Sequence, residues 1–398
     1  MKILNPNSTL RFILRWLIIL ASVSFVVGLA GAAFLRSLTW VSATFTTHHW
    51  LIFFLPIFGL LSVWAYDTFA HSSAGGVKTL INQIKHPTAI LPAAKGPMIF
   101  GTTLLSHLGG ASVGREGTAL QLGASLADQF SRIFKLTETE RQTLLLCGVS
   151  AGFSAVFGTP LAAAVFASEF VKLRSHIQFN ACLCTAYAAD YIGRNLGGSV
   201  HADYSVFFPF AVGISWVGAL WAAAIGLACG LVARTYLWSF RKQTEAVRRI
   251  HSPYLRILLG ALLFILIVAP TDSYEFTGLG LSGIDAAFEQ NLGHGVWIFK
   301  MILTLICVGF GFRGGEVTPL FFIGAALGTA LAPLTGLAPV VCAGLGFVGV
   351  FAGVGAVPLA CSIMAYELFH PSIGGYALVA CSISWVVAGR RGLYEPEG

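Results

Sequence analysis

In Gly114-Arg115-Glu116-Gly117-Thr118 a carboxylate stands between two glycines and beside an arginine. Glycines at 114 and 117 let the backbone approach a ligand closely. The residues that follow, Thr118-Ala119-Leu120-Gln121-Leu122-Gly123-Ala124, read as the start of a helix. A helix start offers unpaired N–H groups and the positive end of the dipole, so it attracts anions. Glu116 therefore occupies ground that a small anion would also occupy. The plainer alternative is a Glu116–Arg115 pair in a buried loop. Ionisable residues inside membrane segments are costly and mark function, which favours the first reading.

Other candidate chemistry is thin. Ser106 and His107 are adjacent, but neighbours on a helix do not face each other, and no HExxH occurs, so no enzyme is expected. Gly278-Leu279-Gly280-Leu281-Ser282-Gly283 matches GxGxxG, yet no strand precedes it, so no dinucleotide site is expected. The eight cysteines lie singly in apolar runs, apart from Cys182 and Cys184. Without CxxC or Cys/His spacing they read as small buried hydrophobes, and neither a metal nor a cofactor is expected.

The elements that must position these residues are membrane segments. Hydrophobic residues make up 56% of the 398 and charged residues 10%, with a mean hydropathy of +0.79. Soluble domains carry about a quarter charged residues, so this composition excludes them. At about 20 residues per span, a dozen or more membrane segments fit. The net charge of +7 sits in loops and is no nucleic-acid footprint.

Residues 1–9 read as a polar cytoplasmic tail, given Lys2, Arg11 and Arg15 around the start of a span at about 10–35. That run is too long for a signal-peptide core. A second span covers about 50–69. The polar stretch Ser72-Ser73-Ala74-Gly75-Gly76-Val77-Lys78 leads into a short helix to about Ile84. Such irregular backbone is tolerated at membrane depth where it lines a cavity or is buried in protein, and a plain loop is the alternative. Residues 97–108 are too short for an ordinary span. Thr137 and Glu140 form a capping box opening a helix towards Leu146. Pro160 opens a helix to about Lys172 carrying Glu169, and residues 178–192 make another. A long helix is expected over about 213–240. The loop 241–256, with Arg241, Lys242, Arg248, Arg249 and Arg256 against Glu245, reads as cytoplasmic. Spans at about 255–269 and 296–310 follow, then short apolar helices to Trp385 and a tail at 391–398. No room remains for a soluble regulatory domain.

The chain repeats itself. Glu116-Gly117-Thr118-Ala119-Leu120 matches Glu316-Val317-Thr318-Pro319-Leu320, about 200 residues on. Pro160-Leu161-Ala162 with Glu169 matches Pro358-Leu359-Ala360 with Glu367, and Gly148-Val149-Ser150-Ala151-Gly152 matches Gly349-Val350-Phe351-Ala352-Gly353. Two similar membrane halves follow, about 10–205 and 206–390. Such repeats bind their ion near the midplane, where half-helix N-termini converge.

At these residues the chain resembles the CLC family of anion channels and anion/proton antiporters. The GREGT stretch is similar to the family's GREGP, with Thr118 in place of proline. Gly315-Glu316-Val317-Thr318-Pro319 is similar to GxFxP, with Val317 in place of phenylalanine. Gly158-Thr159-Pro160-Leu161 through Glu169 resembles the dimer-facing helix pair, and Tyr394 falls where the family has its anion-coordinating tyrosine. Ala74-Gly75-Gly76-Val77-Lys78 takes the place of GSGIP, without its chloride-coordinating serine.

The resemblance implies an all-α polytopic CLC-type fold of two inverted repeats built from short, tilted and broken helices. It implies an anion set of Gly75, Gly76, Val77, Gly117, Thr118, Val317, Thr318 and Tyr394, and a homodimer in a cell membrane, expected to be a bacterial inner membrane.

The departures resemble the fluoride-type branch, which carries GREGT and Val-Thr-Pro. Fluoride is small, hard and strongly hydrated; N–H groups, hydroxyls and aromatic ring edges can replace its water. The best-known fluoride-type members place methionine and phenylalanines on the short helix that here carries Val77, Leu80, Ile81 and Gln83. The implied function is proton-coupled antiport, exporting fluoride in exchange for protons. A chloride/proton antiporter or a passive chloride channel of the same family is the alternative.

In the implied mechanism Glu116 gates the outer end, filling an anion site when ionised and carrying a proton when protonated. Chloride exchangers place an internal acid directly after the position of Glu169, where this chain has Phe170. Glu316 is the substitute expected, and a structural acid paired with Arg313 is its alternative.

Overall fold

Nearly every segment of this chain is apolar, and in lipid only helices satisfy their own backbone. The computed structural model describes residues 6–69, 76–171 and 175–394, and among these it holds sixteen α-helices and no strand. The first eight are α1 (Pro6–Thr47), α2 (Leu55–Phe69), α3 (Gly76–Lys85), α4 (Lys95–Leu108), α5 (Glu116–Ile133), α6 (Glu138–Phe157), α7 (Pro160–Val171) and α8 (His176–Asn195). The second eight are α9 (Trp216–Arg248), α10 (Pro253–Thr271), α11 (Leu281–Glu289), α12 (Val296–Phe310), α13 (Val317–Leu331), α14 (Pro339–Gly355), α15 (Pro358–Leu368) and α16 (Gly374–Ala388).

The two sets match in order: a long helix opens each, and α5 and α13 each begin at the glycine-glutamate motif. Among the described residues, six helical stretches are long and apolar enough to cross a membrane. The protein is a multi-pass membrane protein with short helices between its spans.

α5, α6, α13 and α14 form the centre and are buried almost all round, as helices apolar on every face must be. Small residues let their backbones touch. A Cβ on Gly123 would lie 2.1 Å from the Gly148 carbonyl oxygen, and one on Gly324 would lie 2.1 Å from that of Gly346. Both halves therefore use one contact, glycine against glycine, in the manner of small-residue packing in membranes. α1 and α9 lie outside, with Leu14, Leu17, Ile18, Leu220, Leu227 and Leu231 exposed.

Two polar devices lock the frame. Arg141 on α6 pairs with Asp128 on α5, Nε to Oδ1 at 2.7 Å and Nη2 to Oδ2 at 2.8 Å. The same two side chains hold the Ala89 carbonyl and the Leu91 N–H, which ties down the connection to α4. The second device crosses between halves. Glu169, near the end of α7, accepts hydrogen bonds from Leu359 N and Ala360 N at 3.0 and 2.7 Å. Glu367, near the end of α15, accepts from Leu161 N and Ala162 N at the same two distances. Each carboxylate satisfies the free N–H groups at the other helix's start.

Several boundaries differ from the sequence expectation. The first helix runs past Leu35 to Thr47, and α6 runs past Leu146 to Phe157, where Gly158 caps it with φ 78°. The stretch 241–256 is not all loop, because α9 continues to Arg248. Its residues there, such as Arg241, Lys242, Gln243 and Glu245, are good helix formers, and cations suit a helix C-terminus. The capping box at Thr137 and Glu140 is present in both directions. Lys172 and the polar stretch 70–75, including the anion candidate Gly75, lie outside the described residues.

Candidate functional site

The site forms where the two glycine motifs meet. Gly114 N donates to the Gly315 carbonyl, and Gly315 N donates back to the Gly114 carbonyl at 2.8 Å. A Cβ on Gly114 would stand 3.0 Å from the Gly315 oxygen, from Thr318 N and from the Glu116 carboxylate, so no larger residue fits without displacement. This reciprocal pair sets the starts of α5 and α13 face to face. First-turn N–H groups have no partner within their own helix, so two anion-attracting ends converge at one place.

Glu116 fills that place with its own side chain. Its Oε2 accepts from Thr318 N at 3.1 Å and from the Thr318 hydroxyl at 2.6 Å, while Oε1 lies 2.8 Å from the same hydroxyl. Arg115 N adds a bond at 3.2 Å, and the Arg115 Nε lies 3.6 Å from Oε1. Glu116 is 1% exposed. The carboxylate is thus bound as an anion by the start of α13. The Arg115 contact is present beside this grip, so the plainer pairing is part of the arrangement and does not account for all of it.

Two cavities flank the junction. One, of about 400 Å³, lies beside the basic end of α9 and is lined by Gly76, Val77, Gln121, Glu316 and Tyr394 among others. Tyr394 donates its hydroxyl to Glu316 Oε1, and the Phe170 ring meets the Tyr394 ring edge-on at 5.4 Å. Arg313, the expected alternative partner of Glu316, lays its guanidinium over the Tyr66 ring at 4.0 Å. The other cavity, about 310 Å³, lies beside the opposite end of α1 and reaches Arg115.

The expected anion set divides. Glu116 and Thr318 are in contact, and Val317 and Gly117 are buried at the same helix starts. Val77 packs towards Gly117: a Cβ there would lie 3.8 Å from its Cγ2. The Thr118 hydroxyl points elsewhere, sharing a 2.7 Å hydrogen bond with Thr103 on α4. Tyr394 serves Glu316 rather than an open position.

Sequence reasoning missed Gln121, whose Nε2 donates to the Gly117 carbonyl at 3.0 Å while the side chain lines the cavity. Its signal was the four-residue step from Gly117, which places both on one helix face. Thr103 gave no signal of its own. The Ser106 hydroxyl donates to the Thr102 carbonyl, so it makes no nucleophile pair with His107.

A multi-pass membrane protein whose two halves join at converging helix starts, with a titratable carboxylate held as an anion between two cavities, has the build of an anion-transport protein. The chain matches the Voltage gated chloride channel family over residues 58–389 and belongs to that family, the CLC proteins. It is 39% identical over 399 residues to the chloride/fluoride channel protein of Pseudomonas syringae pv. tomato, covering 98% of this chain and 87% of that protein. The H(+)/Cl(-) exchange transporter ClcA of Klebsiella pneumoniae subsp. pneumoniae is 26% identical over 333 residues, or 78% of this chain and 70% of that one. Among solved structures, a CLC-type fluoride/proton antiporter superposes with a TM-score of 0.90 at 30% identity, over 95% of this chain and 96% of that chain. A slow cyanobacterial Cl-/H+ antiporter reaches 0.83 at 21% identity over 96% of each, a likeness of fold.

Proposed function

We propose that this protein is a fluoride/proton antiporter that exports fluoride, and that it is a transporter with no enzymatic activity. The observation that carries the reading is the Glu116 carboxylate bound by the Thr318 N–H and hydroxyl. An ionised carboxylate there competes with the transported anion. A protonated one loses its charge, releases the site and takes the proton with it. Coupling follows because anion and proton-bearing group share one set of donors. The donor set is hydroxyl and backbone N–H, hard groups suited to a small, strongly hydrated anion. The similarity to a CLC-type fluoride/proton antiporter and to a chloride/fluoride channel protein supports the choice of ion.

By the positive-inside reading, the cavity beside the basic end of α9 faces the cytoplasm and the cavity at Arg115 faces outside. Fluoride enters from the first, and Glu316 and Tyr394 stand on its wall as a place for protons to arrive. The membrane is a bacterial inner membrane, and the assembly is a homodimer with one pathway per subunit. Exposed apolar residues on α8 and α15, Tyr187, Leu359 and Tyr366 among them, support a lipid or subunit contact there. Cross-linking in membranes tests the dimer, and a monomer would count against it.

Chloride/proton exchange or passive chloride conduction is the second reading. Similarity to ClcA favours chloride exchange, whereas Phe170, standing where chloride exchangers keep an internal acid, favours passive conduction over proton-coupled chloride exchange. One experiment separates the readings: efflux of fluoride and of chloride from reconstituted liposomes with pH recorded. Fluoride efflux faster than chloride, with protons moving the other way, is expected. Equal rates support the chloride reading, and fluoride flux without protons supports a channel.

A further inference from the structure

The glycine-rich stretch 278–283 forms one wall of the 310 Å³ cavity at Arg115. The stretch is fixed from two sides. Gly278 N donates to the Gly110 carbonyl at 2.9 Å, and Lys300 Nζ donates to the Phe276 and Gly278 carbonyls at 2.9 and 3.0 Å. Gly278 and Gly280 take φ of 54° and 71°, a region that favours glycine. This wall is therefore held in a set shape, with an ammonium group behind it.

Two buried basic side chains line this cavity, His107 and Arg115. His107 is 1% exposed, and neither of its ring nitrogens makes a hydrogen bond. Arg115 is 7% exposed, and its Nε makes no hydrogen bond and stands 3.6 Å from Glu116 Oε1 as an ion pair. Buried polar groups are almost always hydrogen-bonded, and each exception calls for an explanation. A neutral imidazole carries one N–H donor, and a guanidinium carries donors only. Glu275, an acid on the cavity wall, is exposed. The cavity thus brings together the donors of His107 and Arg115, with Lys300 behind its glycine wall and the Glu116 carboxylate beside Arg115.

We infer that this cavity is a second anion site, directly outside the gate, where the His107 N–H and the Arg115 guanidinium take over the transported ion as it passes Glu116. Its ligand is a small monovalent inorganic anion, fluoride on the function proposed above, and the inference rests on that reading. The site lets a strongly hydrated ion regain its water in two steps. His107 is a binding residue of this site and takes no part in proton transfer.

The test is exchange of radiolabelled fluoride across liposomes holding equal fluoride on both sides, so that protein orientation does not matter. Wild type is compared with His107→Phe, which keeps a ring without donors, and with His107→Gln, which keeps an N–H. Loss of one hydrogen bond to an ion is worth roughly tenfold or more in affinity. The expected result is a half-saturating fluoride concentration raised about that much in His107→Phe and restored in His107→Gln, with protons moved per fluoride, read separately in gradient-driven efflux, unchanged in both.

An unchanged half-saturation in His107→Phe would overturn the site. So would equal impairment of both variants in maximal rate alone, which marks a packing role. His107→Leu replaces the Phe variant if that one does not purify as wild type does. Wild-type liposomes that exchange chloride and no fluoride would strike the fluoride reading instead, and the same variants are then compared with labelled chloride.

Discussion

The Glu116 carboxylate and Thr318 are bound together across 202 residues of chain, through both the main-chain N–H and the hydroxyl of Thr318. Neither residue could be held this way by its own half. The start of α5 carries the carboxylate, the start of α13 carries the donors, and the Gly114–Gly315 pair sets the distance between them. The internal repeat is thus the means by which one half supplies an anion surrogate and the other its site.

Replacing Glu116 by glutamine keeps the shape and removes both the charge and the proton. A fluoride gradient should then move no protons, while fluoride flux persists without coupling. The check is simultaneous fluoride and pH recording in liposomes. Proton uptake equal to that of wild type would sink the assignment of Glu116 as proton carrier.

Glu316 is expected to matter to protons and less to the anion. It sits on the wall of the basic-end cavity and takes the Tyr394 hydroxyl. Glu316→Gln should lower the number of protons moved per fluoride, with the Glu116 grip on Thr318 intact. Tyr394→Phe should act in the same direction more weakly, because the carboxyl group stays. An unaltered proton-to-fluoride ratio in Glu316→Gln would return Glu316 to a structural role.

Stability is expected to concentrate at Asp128–Arg141. Both side chains are buried, and together they hold the Ala89 carbonyl and the Leu91 N–H as well. Removing one partner of a buried pair costs about 3–5 kcal/mol, because the other charge is left uncompensated. Asp128→Ala should therefore lower the thermal midpoint of the detergent-solubilised protein strongly. Arg15–Glu140, whose arginine is over a third exposed, should contribute far less on truncation. Equal midpoints for the two truncations would contradict this.

Much of this arrangement was legible from the residues. Gly114 to Thr118 and Gly315 to Pro319 each signal a glycine-led helix start, and their spacing signals two related halves. Thr137 and Glu140 mark a helix start by local chemistry alone. What was not legible depends on pairings between distant segments. The exchange of carboxylates between Glu169 and Glu367 needs α7 and α15 antiparallel and side by side, which no local pattern encodes. Thr118 has the place of an anion ligand in the motif, and the hydrogen bond its hydroxyl shares with Thr103 on another helix has no local signal. The charges at 241–248 signal a membrane boundary, yet α9 runs through them to Arg248, because charge marks the boundary without ending the helix.

The last expectation concerns ion choice at Thr318. Its hydroxyl and N–H hold the Glu116 carboxylate now, and the same two donors are free for the anion once the carboxylate leaves. Thr318→Val removes the hydroxyl at nearly constant volume and leaves the N–H. A hydrogen bond to a charged group is worth about 1.5–3 kcal/mol, or roughly tenfold to a hundredfold in affinity. Fluoride concentrates its charge in a smaller radius than chloride, so each hydrogen bond contributes more to replacing its water. Fluoride turnover should therefore fall more than chloride turnover in the mutant, with both measured in the same vesicle preparation. Coupling should also loosen, because Glu116 loses its shortest contact in the closed position. An unchanged fluoride rate in Thr318→Val would remove the hydroxyl from the ion's path and leave the backbone N–H as the site's donor.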